Sequence, residues 1–436
     1  MKRIQQRAVA ALLLAAAILG CLAFYILRLL REGGAWAAYS ANESIYSHGV
    51  LTAGSLTDRR GVPLAWADES GMHYAEDSTL RLASLHAVGD HRGYIGTGAL
   101  QLFAAELSGY SFVFGTTRPG GTVALTLDAE LQKAAYNALA GRSGAVLLMN
   151  YKTGELLCMV SAPGYDPNGE PDESVEGVYL NRCISSVFTP GSVFKLVTLA
   201  AALENIPDLA ERRFTCEGEC TVDGNVVHCT GYHGTQTIEE ALAHSCNCAF
   251  AELSLELGGE TLAQYAEKYG LTAEHGFHGI ATAAGSFDIS PAGSAELAWS
   301  GIGQSTDLVD PYAMLRLTAA IANGGSVIEP TLLPGQQQGS SRLLRADTAS
   351  ALKSMMAFNV SYEYGGQASF PGLSLCAKTG TAELGDGTEH AWFTGFLSEG
   401  APLAFTVLVE RGGGGLAAAG PIANAILQKA TEIYTE

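Results

Sequence analysis

Positive charge is scarce in this sequence, and like charges form no run anywhere in it. The 436 residues include 25 Lys and Arg against 44 Asp and Glu, which gives a formal net charge of -19 at pH 7. Proteins that bind nucleic acids neutralise phosphates with clustered Lys and Arg side chains. The sequence therefore excludes a nucleic-acid partner, and we interpret the acidic excess as a contribution to solubility.

Long apolar runs are also scarce, since the sequence has a single one at residues 8–27. About 20 apolar residues are enough for a helix to cross a bilayer. Lys2, Arg3 and Arg7 precede the run and favour a cytoplasmic N-terminus, with the rest of the chain outside the membrane. A cleaved signal peptide with a processing site at residues 35–37 is the alternative, but the run is long for one. We predict an uncleaved, single-pass anchor in the cell membrane.

Cysteines are present in an odd number, so they cannot all pair with one another. The nine are Cys21, Cys158, Cys183, Cys216, Cys220, Cys229, Cys246, Cys248 and Cys376. Disulfides become available outside the cytoplasm. Cys216, Cys220 and Cys229 lie near His228 and His233, but their spacing fits no standard zinc pattern. We predict no metal and no cofactor, and expect free thiols or a disulfide there, with Cys216 and Cys229 as the pair.

Three short motifs follow one another along the chain. Ser192 and Lys195 form an S-x-x-K motif, Ser245 and Asn247 form an S-x-N motif, and Lys378 opens a K-T-G motif. Each motif is weak evidence alone. In this order they resemble the set found in the penicillin-recognising serine enzymes, where the serine becomes acylated.

Isolated copies of all three motifs lie elsewhere in the chain, and the second S-x-N, at Ser40 and Asn42, lies next to the apolar run. A second S-x-x-K begins at Ser350, but no turn precedes it and no S-x-N separates it from Lys378. A second K-T-G begins at Lys152 between two apolar runs, which predicts the turn of a β-hairpin. Order and context therefore select Ser192 as the nucleophile.

The nucleophile is predicted to lie at the start of a helix, since a Pro-Gly turn at 190–191 precedes an apolar stretch at 193–203. Free N–H groups and the helix dipole favour developing negative charge there. Lys195 lies nearly one turn further on and faces the same side as Ser192. As a free amine it could take the serine proton, which requires a pKa lowered by burial or by a second cation such as Lys378. A surface lysine is the alternative, and the apolar neighbours of Lys195 disfavour it.

The S-x-N motif is assigned to proton transfer and substrate binding. Ser245 would relay a proton between Lys195 and a leaving amine. Asn247 could hold a substrate amide, because its side chain both donates and accepts hydrogen bonds. Taken alone, the segment would be interpreted as a helix start with Ser245 or Asn247 as its cap.

The K-T-G motif is assigned to substrate binding at the end of a strand. Lys378, with the hydroxyls of Thr379 and Thr381, would bind a terminal carboxylate. Gly380 would let a substrate backbone lie close to the strand. The backbone N–H groups of Ser192 and Thr381 would form the oxyanion hole.

Other polar residues receive structural interpretations. His390 and Trp392 could line the cleft, although we favour a structural role for the histidine. Asp310 precedes a proline, and this pattern predicts that Asp310 is the N-cap of a helix. Cys246 is the middle residue of the S-x-N motif and Cys248 follows it, and we interpret both as small buried side chains rather than nucleophiles.

Hydrophobic periodicity predicts a chain of mixed helices and strands. Helices are expected near 100–107 and at 126–140, 193–203, 238–258, 261–270, 310–323, 346–358 and 421–434, a hairpin at 144–161, and late strands at 373–379, 391–397 and 403–409. Two early strands, three late strands and the intervening helices predict an α+β domain built around one sheet.

Beyond the three motifs, the chain resembles a class B penicillin-binding protein of the short form, a monofunctional peptidoglycan D,D-transpeptidase. Similar blocks lie at 55–61, 126–128, 144–168, 189–195, 301–304, 378–383 and 390–395. The resemblance implies a cytoplasmic tip and transmembrane helix at 1–31, a small mixed pedestal domain at 32–120, and a transpeptidase domain at 121–436. That last domain is expected to hold a five-stranded antiparallel sheet flanked by helices.

The resemblance also implies a reaction and a partner. An acyl-enzyme on Ser192 would form with loss of D-alanine and then react with an amine of a neighbouring stem peptide, and β-lactams would acylate the same serine. A polytopic membrane glycosyltransferase would make the glycan strands. A D,D-carboxypeptidase, a β-lactamase or β-lactam sensor, and a non-catalytic scaffold of a wall-synthesis complex stay open as alternatives, as does a role in elongation, division or sporulation.

Overall fold

A computed structural model describes residues 2–39, 46–47, 50–51, 53–68, 70–111, 113–116, 120–288, 291, 293–336 and 339–434. Within these ranges the α-helices are, in chain order, α1 (Lys2–Ala37), α2 (Ser78–Val88), α3 (Ala99–Leu102), α4 (Ala104–Leu107), α5 (Ala129–Leu139), α6 (Lys195–Asn205), α7 (Ile238–Ala243), α8 (Asn247–Leu257), α9 (Gly259–Lys268), α10 (Ala295–Ile302), α11 (Pro311–Ala322), α12 (Ala346–Tyr362), α13 (Gly366–Ser369) and α14 (Gly415–Tyr434). The strands are β1 (Tyr46–Ser47), β2 (Val50–Leu51), β3 (Ser55–Thr57), β4 (Pro63–Asp68), β5 (Gly71–Tyr74), β6 (Thr122–Ala124), β7 (Gly144–Asn150), β8 (Leu156–Ala162), β9 (Phe214–Cys216), β10 (Glu219–Val222), β11 (Asn225–His228), β12 (Gly234–Gln236), β13 (Gly276–Phe277), β14 (Ile280–Ala281), β15 (Ser326–Ile328), β16 (Ser340–Arg342), β17 (Leu375–Glu383), β18 (Glu389–Leu397) and β19 (Leu403–Val409).

The N-terminal part combines the apolar helix with a small sheet. Helix α1 is long and apolar enough to cross a membrane, with a mean hydropathy of 2.6 in its most apolar window. The sheet has the order β5-β4-β3-β6, and β6 pairs in parallel with β3. Because β6 lies beyond residue 120, the sheet of the first region includes a strand from the second. The domain division at residue 120 stays a prediction.

The helix expected near residues 100–107 is interrupted. The structure has two short helices, α3 and α4, which meet at Phe103, whose φ of -113° and ψ of 24° leave the helical region. The Phe103 ring is buried and meets the ring of His278 edge-on at 5.0 Å. Packing of one aromatic side chain therefore overrides the apolar periodicity of this segment.

The second region is built on the expected five-stranded antiparallel sheet, in the order β17-β18-β19-β7-β8. Helices α5 and α14 cover one face, while α11 and α12 pack on the other. Strands that are buried on both faces become continuous apolar runs, as β7, β8 and β19 are. The predicted hairpin at 144–161 is confirmed as β7 and β8, with Lys152 in its turn.

Two predicted bounds near the cleft are wrong. The strand at 373–379 is β17 and continues to Glu383, because its ladder with β18 runs from the pair Leu375–Leu397 to the pair Glu383–Glu389. The K-T-G motif therefore lies within the strand and not at its end. The last helix begins at Gly415, ahead of the expected Pro421, since its first N–H donates to the hydroxyl of Thr381 at 3.1 Å.

The end of α10 supports the turn at Gly191–Val193, which carries Ser192 and is named the nucleophile turn. This contact leads to a prediction about stability. Gly303 has a φ of +87°, and a Cβ there would lie 2.1 Å from the carbonyl oxygen of Gly191. Gly324 also has a positive φ, +64°, but a Cβ there would have nothing within 4 Å. Both Gly303→Ala and Gly324→Ala should cost about 1–2 kcal/mol for the left-handed backbone. The Gly303 variant should lose at least twice as much, because a backbone carbonyl cannot move aside.

Thermal unfolding of the detergent-solubilised protein would compare the two variants directly. Equal losses of melting temperature in the two would show that the contact between Gly303 and Gly191 is not tightly packed.

Candidate active site

Ser192 lies in a short 3₁₀ turn, Gly191–Val193, just ahead of α6. Gly191 has a φ of +56°, and a Cβ there would lie 2.5 Å from the carbonyl oxygen of Thr381. Its N–H donates to the carbonyl oxygen of Gly303 at 2.8 Å. The turn is therefore held between β17 and the end of α10, which fixes where the Ser192 hydroxyl lies.

Lys195 is the first residue of α6, and it is completely buried. Its Nζ lies 3.1 Å from Ser192 Oγ, 2.6 Å from the carbonyl oxygen of Ser245 and 2.7 Å from Asn247 Oδ1. The last two oxygens can only accept hydrogen bonds. A free amine has two N–H groups and one lone pair, so it can donate to both acceptors and keep the lone pair for the Ser192 hydroxyl. Burial lowers the pKa of Lys195 to about 8.

Ser245 interrupts the helix that the sequence predicted over 238–258. Its N–H donates to the carbonyl oxygen of Leu242 at 3.1 Å, and the N–H of Cys246 donates to that of Ala241 at 2.8 Å. These two bonds form a Schellman motif, whose left-handed position usually belongs to glycine. Ser245 occupies it with a φ of +55°, at a cost of about 1–3 kcal/mol. A serine held in this conformation indicates that its hydroxyl has a function.

The hydroxyl of Ser245 lies between the two buried lysines. Its Oγ is 3.2 Å from the Nζ of Lys195 and 3.0 Å from the Nζ of Lys378. A hydroxyl can accept one proton and donate another, so this position suits a proton relay.

Asn247 begins α8, and both ends of its side-chain amide have partners. Oδ1 accepts from Lys195 at 2.7 Å, and Nδ2 donates to the carbonyl oxygen of His228 at 2.8 Å. Its backbone N–H points at the sulfur of Cys229 at 3.2 Å. The amide is therefore held between Lys195 and the last residue of β11.

Lys378 is also completely buried, and it lies behind Ser245 rather than on the cleft wall. Its Nζ donates to Ser245 Oγ and, at 2.9 Å, to the carbonyl oxygen of Thr379. Burial, and then the neighbouring charge of Lys195, hold the pKa of Lys378 well below its ordinary value.

Strand β17 is the outermost strand of the sheet, and two side chains mark its free edge. The N–H of Thr379 donates to the hydroxyl of Tyr364 at 3.2 Å, and the carbonyl oxygen of Thr381 accepts from Gln304 at 3.3 Å. The N–H and C=O groups of one residue in an antiparallel strand point to the same side. The N–H of Thr381 therefore also points to the free edge, as an oxyanion hole requires.

Gly380 has a packing role that the sequence analysis did not anticipate. A Cβ at this position would lie 2.8 Å from the carbonyl oxygen of Pro190 and 3.1 Å from a methyl group of Val193. The missing side chain makes room for the nucleophile turn. Glycine at this position is thus needed to bring β17 and Ser192 together.

A cleft of about 430 Å³ joins these groups. Of the predicted site residues, Ser192, Ser245, Asn247, Thr379 and Thr381 line it. The lining also includes residues to which the sequence assigned no role: Thr230, Trp299, Ile302, Gln304, Glu383, Glu389, Gly414, Gly415, Leu416 and Ala417. Ile302, Gln304 and Glu383 lie in the blocks at 301–304 and 378–383 that carried part of the resemblance, whereas no such block contains the others.

The remaining sequence interpretations have mixed outcomes. Of the two expected alternatives, free thiols or a disulfide between Cys216 and Cys229, the structure has free thiols, and the sulfurs of Cys216 and Cys229 lie next to those of Cys248 (3.6 Å) and Cys246 (3.9 Å) respectively. Asp310 caps α11, as predicted, by accepting from the N–H of Tyr312 at 2.9 Å.

Three comparisons with known proteins agree with this site. The family described as "Penicillin binding protein transpeptidase domain" matches residues 144–428. The peptidoglycan D,D-transpeptidase PbpA of Mycobacterium tuberculosis is 30% identical over 384 residues, which cover 76% of this chain and 76% of that protein.

Solved structures share the fold. Penicillin-binding protein A from M. tuberculosis, as a ceftriaxone acyl-enzyme complex, has a TM-score of 0.75 at 26% identity and covers 87% of this chain and 98% of its own. The D,D-transpeptidase domain of a peptidoglycan glycosyltransferase from Eggerthella lenta has a TM-score of 0.73 at 27% identity, with the same two coverages. This chain therefore belongs to the penicillin-binding protein transpeptidase family, as a class B, serine-type member.

Proposed function

We propose that this chain is a peptidoglycan D,D-transpeptidase whose acyl-enzyme forms on Ser192. The observation that carries the proposal is the 3.1 Å contact between Ser192 Oγ and the Nζ of buried Lys195, an amine whose two closest partners can only accept. The relatives support it, since PbpA is named a D,D-transpeptidase and the similar solved structure is an acyl-enzyme.

Acylation begins with proton transfer. The lone pair of Lys195 takes the Ser192 proton while Oγ attacks the carbonyl carbon of the penultimate D-alanine. The backbone N–H groups of Ser192 and Thr381 stabilise the oxyanion. The C–N bond then breaks, and the proton passes from Lys195 through Ser245 Oγ to the leaving D-alanine amine. The products are an ester on Ser192 and free D-alanine, whose amine carries the proton that Ser192 lost.

Deacylation repeats these steps with an amine as the nucleophile. An amino group of a neighbouring stem peptide gives its proton to Lys195 and attacks the ester carbonyl. An amide bond forms, the ester bond breaks, and the proton returns to Ser192 Oγ. The cross-link between two stems is the product, and a β-lactam would stop the cycle at the ester stage.

The substrate carboxylate is assigned to the K-T-G strand. The hydroxyls of Thr379 and Thr381 face the cleft, and Lys378 lies behind Ser245. A carboxylate bound there would favour the charged form of Lys378, because an opposite charge raises the pKa of a buried lysine. Binding of the substrate would then supply the second positive charge beside Lys195.

The membrane arrangement forms part of the proposal. Helix α1 fits a single-pass membrane protein, and Lys2, Arg3 and Arg7 support a cytoplasmic N-terminus with the cleft outside. A polytopic membrane glycosyltransferase is the proposed partner, because cross-linking requires newly made glycan strands. Residues 32–120 are proposed as the pedestal domain and 121–436 as the transpeptidase domain.

Labelling with a fluorescent penicillin tests the nucleophile. Ser192→Ala should lower covalent labelling roughly 10⁴-fold or more, since no other group can replace the attacking oxygen. Ser350→Ala is the matched control, because it removes the serine of the second S-x-x-K at an exposed position of α12. It should label like the wild type. Full labelling of the Ser192 variant would rule out the assigned nucleophile.

The pKa of Lys195 predicts a pH dependence for acylation. Its pKa is lowered from 10.5 to about 8, and the reactive form is the free amine. The acylation rate constant should therefore rise about tenfold per pH unit below pH 8 and level off above it. The titratable groups that face Lys195 are Lys378 and the thiols of Cys229, Cys246 and Cys248.

Stopped-flow acylation between pH 6 and 9 would measure this profile, with the spontaneous hydrolysis of the penicillin subtracted at each pH. A rate constant that stays flat from pH 6 to 8 would contradict the role of Lys195 as the base.

Product analysis separates the transpeptidase from its alternatives. Mass spectrometry of the wild type with a donor stem ending in D-Ala-D-Ala and an amine-bearing acceptor should show the cross-linked dimer as the main product. Ser192→Ala should give none. Release of D-alanine without a dimer would indicate a carboxypeptidase, and the absence of both product and penicillin label would indicate a scaffold.

A further inference from the structure

Four cysteine sulfurs converge beside the S-x-N motif. Cys216 ends β9, Cys229 follows β11, and Cys246 and Cys248 stand on either side of Asn247 at the start of α8. Their sulfur atoms all lie within 4.8 Å of one another. The fold thus brings together cysteines from three different elements of the chain.

The sulfur spacing is that of a tetrahedral metal site. Two of the distances are 3.6 Å, between Cys216 and Cys248, and 3.9 Å, between Cys229 and Cys246. With Zn–S bonds of about 2.3 Å, the sulfurs of a tetrahedral site lie about 3.8 Å apart. A small shift of each side chain would place all four at bonding distance from one cation. Four thiolates are a ligand set that selects Zn²⁺ among the abundant divalent metals.

We propose that Cys216, Cys229, Cys246 and Cys248 bind one Zn²⁺ in a closed, structural site. The four thiols lose four protons as the four Zn–S bonds form, and no coordination position is left for water or substrate. This goes against the sequence-based prediction, which considered Cys216, Cys220 and Cys229 with His228 and His233 and found no standard zinc spacing. Cys246 and Cys248 complete the set only in three dimensions.

The surroundings of the sulfurs suit such a site. Cys216, Cys246 and Cys248 are buried, and Cys229 is half-buried. The backbone N–H of Asn247 points at Cys229 Sγ from 3.2 Å, and hydrogen bonds of this kind orient and stabilise metal-bound ligands. Cys220 lies on the neighbouring hairpin but outside the group of four.

The proposed metal would act on the active site through Asn247. Both neighbours of Asn247 in the chain are ligands, and its side chain joins the carbonyl of His228, next to a third ligand, to the Nζ of Lys195. The metal would therefore fix the segment after β11 to the S-x-N turn and hold Ser245 in its left-handed conformation. Asn247 is a positioning residue in this scheme. The site itself does not depend on the proposed reaction.

Metal analysis of the full-length protein tests the proposal. The chain is purified in detergent under reducing, anaerobic conditions with ZnSO₄ and then desalted. Elemental analysis should find about one zinc per chain, and the Cys246→Ser and Cys248→Ser variants should each retain less than roughly a tenth of it. Cys220→Ser is the matched control and should keep the full zinc content. Loss of zinc from the Cys220 variant alone would overturn the assigned ligands.

Measurements on the wild type keep the test valid if a variant does not fold. Replacement of zinc by Co²⁺ should give the thiolate charge-transfer and d–d absorption bands of a tetrahedral sulfur site. Mass spectrometry of the unreduced, alkylated protein should find all four cysteines as thiols. Absence of zinc and of these bands, or disulfides among the four cysteines in the zinc-loaded protein, would refute the proposal.

Activity distinguishes the metal site from the catalytic proposal. Removal of zinc by a chelator should slow penicillin acylation about tenfold or more, and added Zn²⁺ should restore it. The Ser192→Ala variant should lose labelling and keep its zinc. Zinc binding without any effect on acylation would overturn the positioning role, whereas zinc binding in a wild type that never labels would refute only the proposed function.

Discussion

The two buried lysines are the constraint on which the site depends. In the described parts of the chain, the Nζ atoms of Lys195 and Lys378 contact neutral oxygens, and neither forms an ion pair. Burial of an ammonium group without a carboxylate partner is costly. The neutral amine is therefore more populated, and the pKa of the lysine falls. The free amine that the proposed mechanism requires of Lys195 thus comes from packing, and any substitution that admits water or a carboxylate would remove it.

Three separate parts of the chain must be positioned accurately relative to one another to create this environment. The nucleophile turn is held between Gly303 and β17, where Gly380 leaves room for it. Ser245 accepts a strained backbone so that its hydroxyl lies between the lysines. The five-stranded sheet provides the fixed reference for all of these contacts, because its faces are covered by helices on both sides. The fold therefore stabilises a geometry that the local backbone would not adopt by itself.

Much of this arrangement could be predicted from the sequence. Apolar runs located the strands β7, β8 and β19, and motif order selected Ser192 and Lys195, whose side chains lie 3.1 Å apart. Long-range packing accounts for what was missed: Gly380 faces the turn at Pro190, Phe103 breaks a helix to reach His278, and Tyr364 occupies the edge of β17. No local pattern encodes such contacts. The cysteine group shows the same limit, because its four members come from the end of β9, the residue after β11 and the start of α8.

The outer position of β17 also bears on aggregation. An unpaired outer strand can template the addition of a strand from another molecule. Tyr364 and Gln304 already occupy main-chain groups of Thr379 and Thr381 along this margin. Pairing of two copies through their sheets is thereby discouraged.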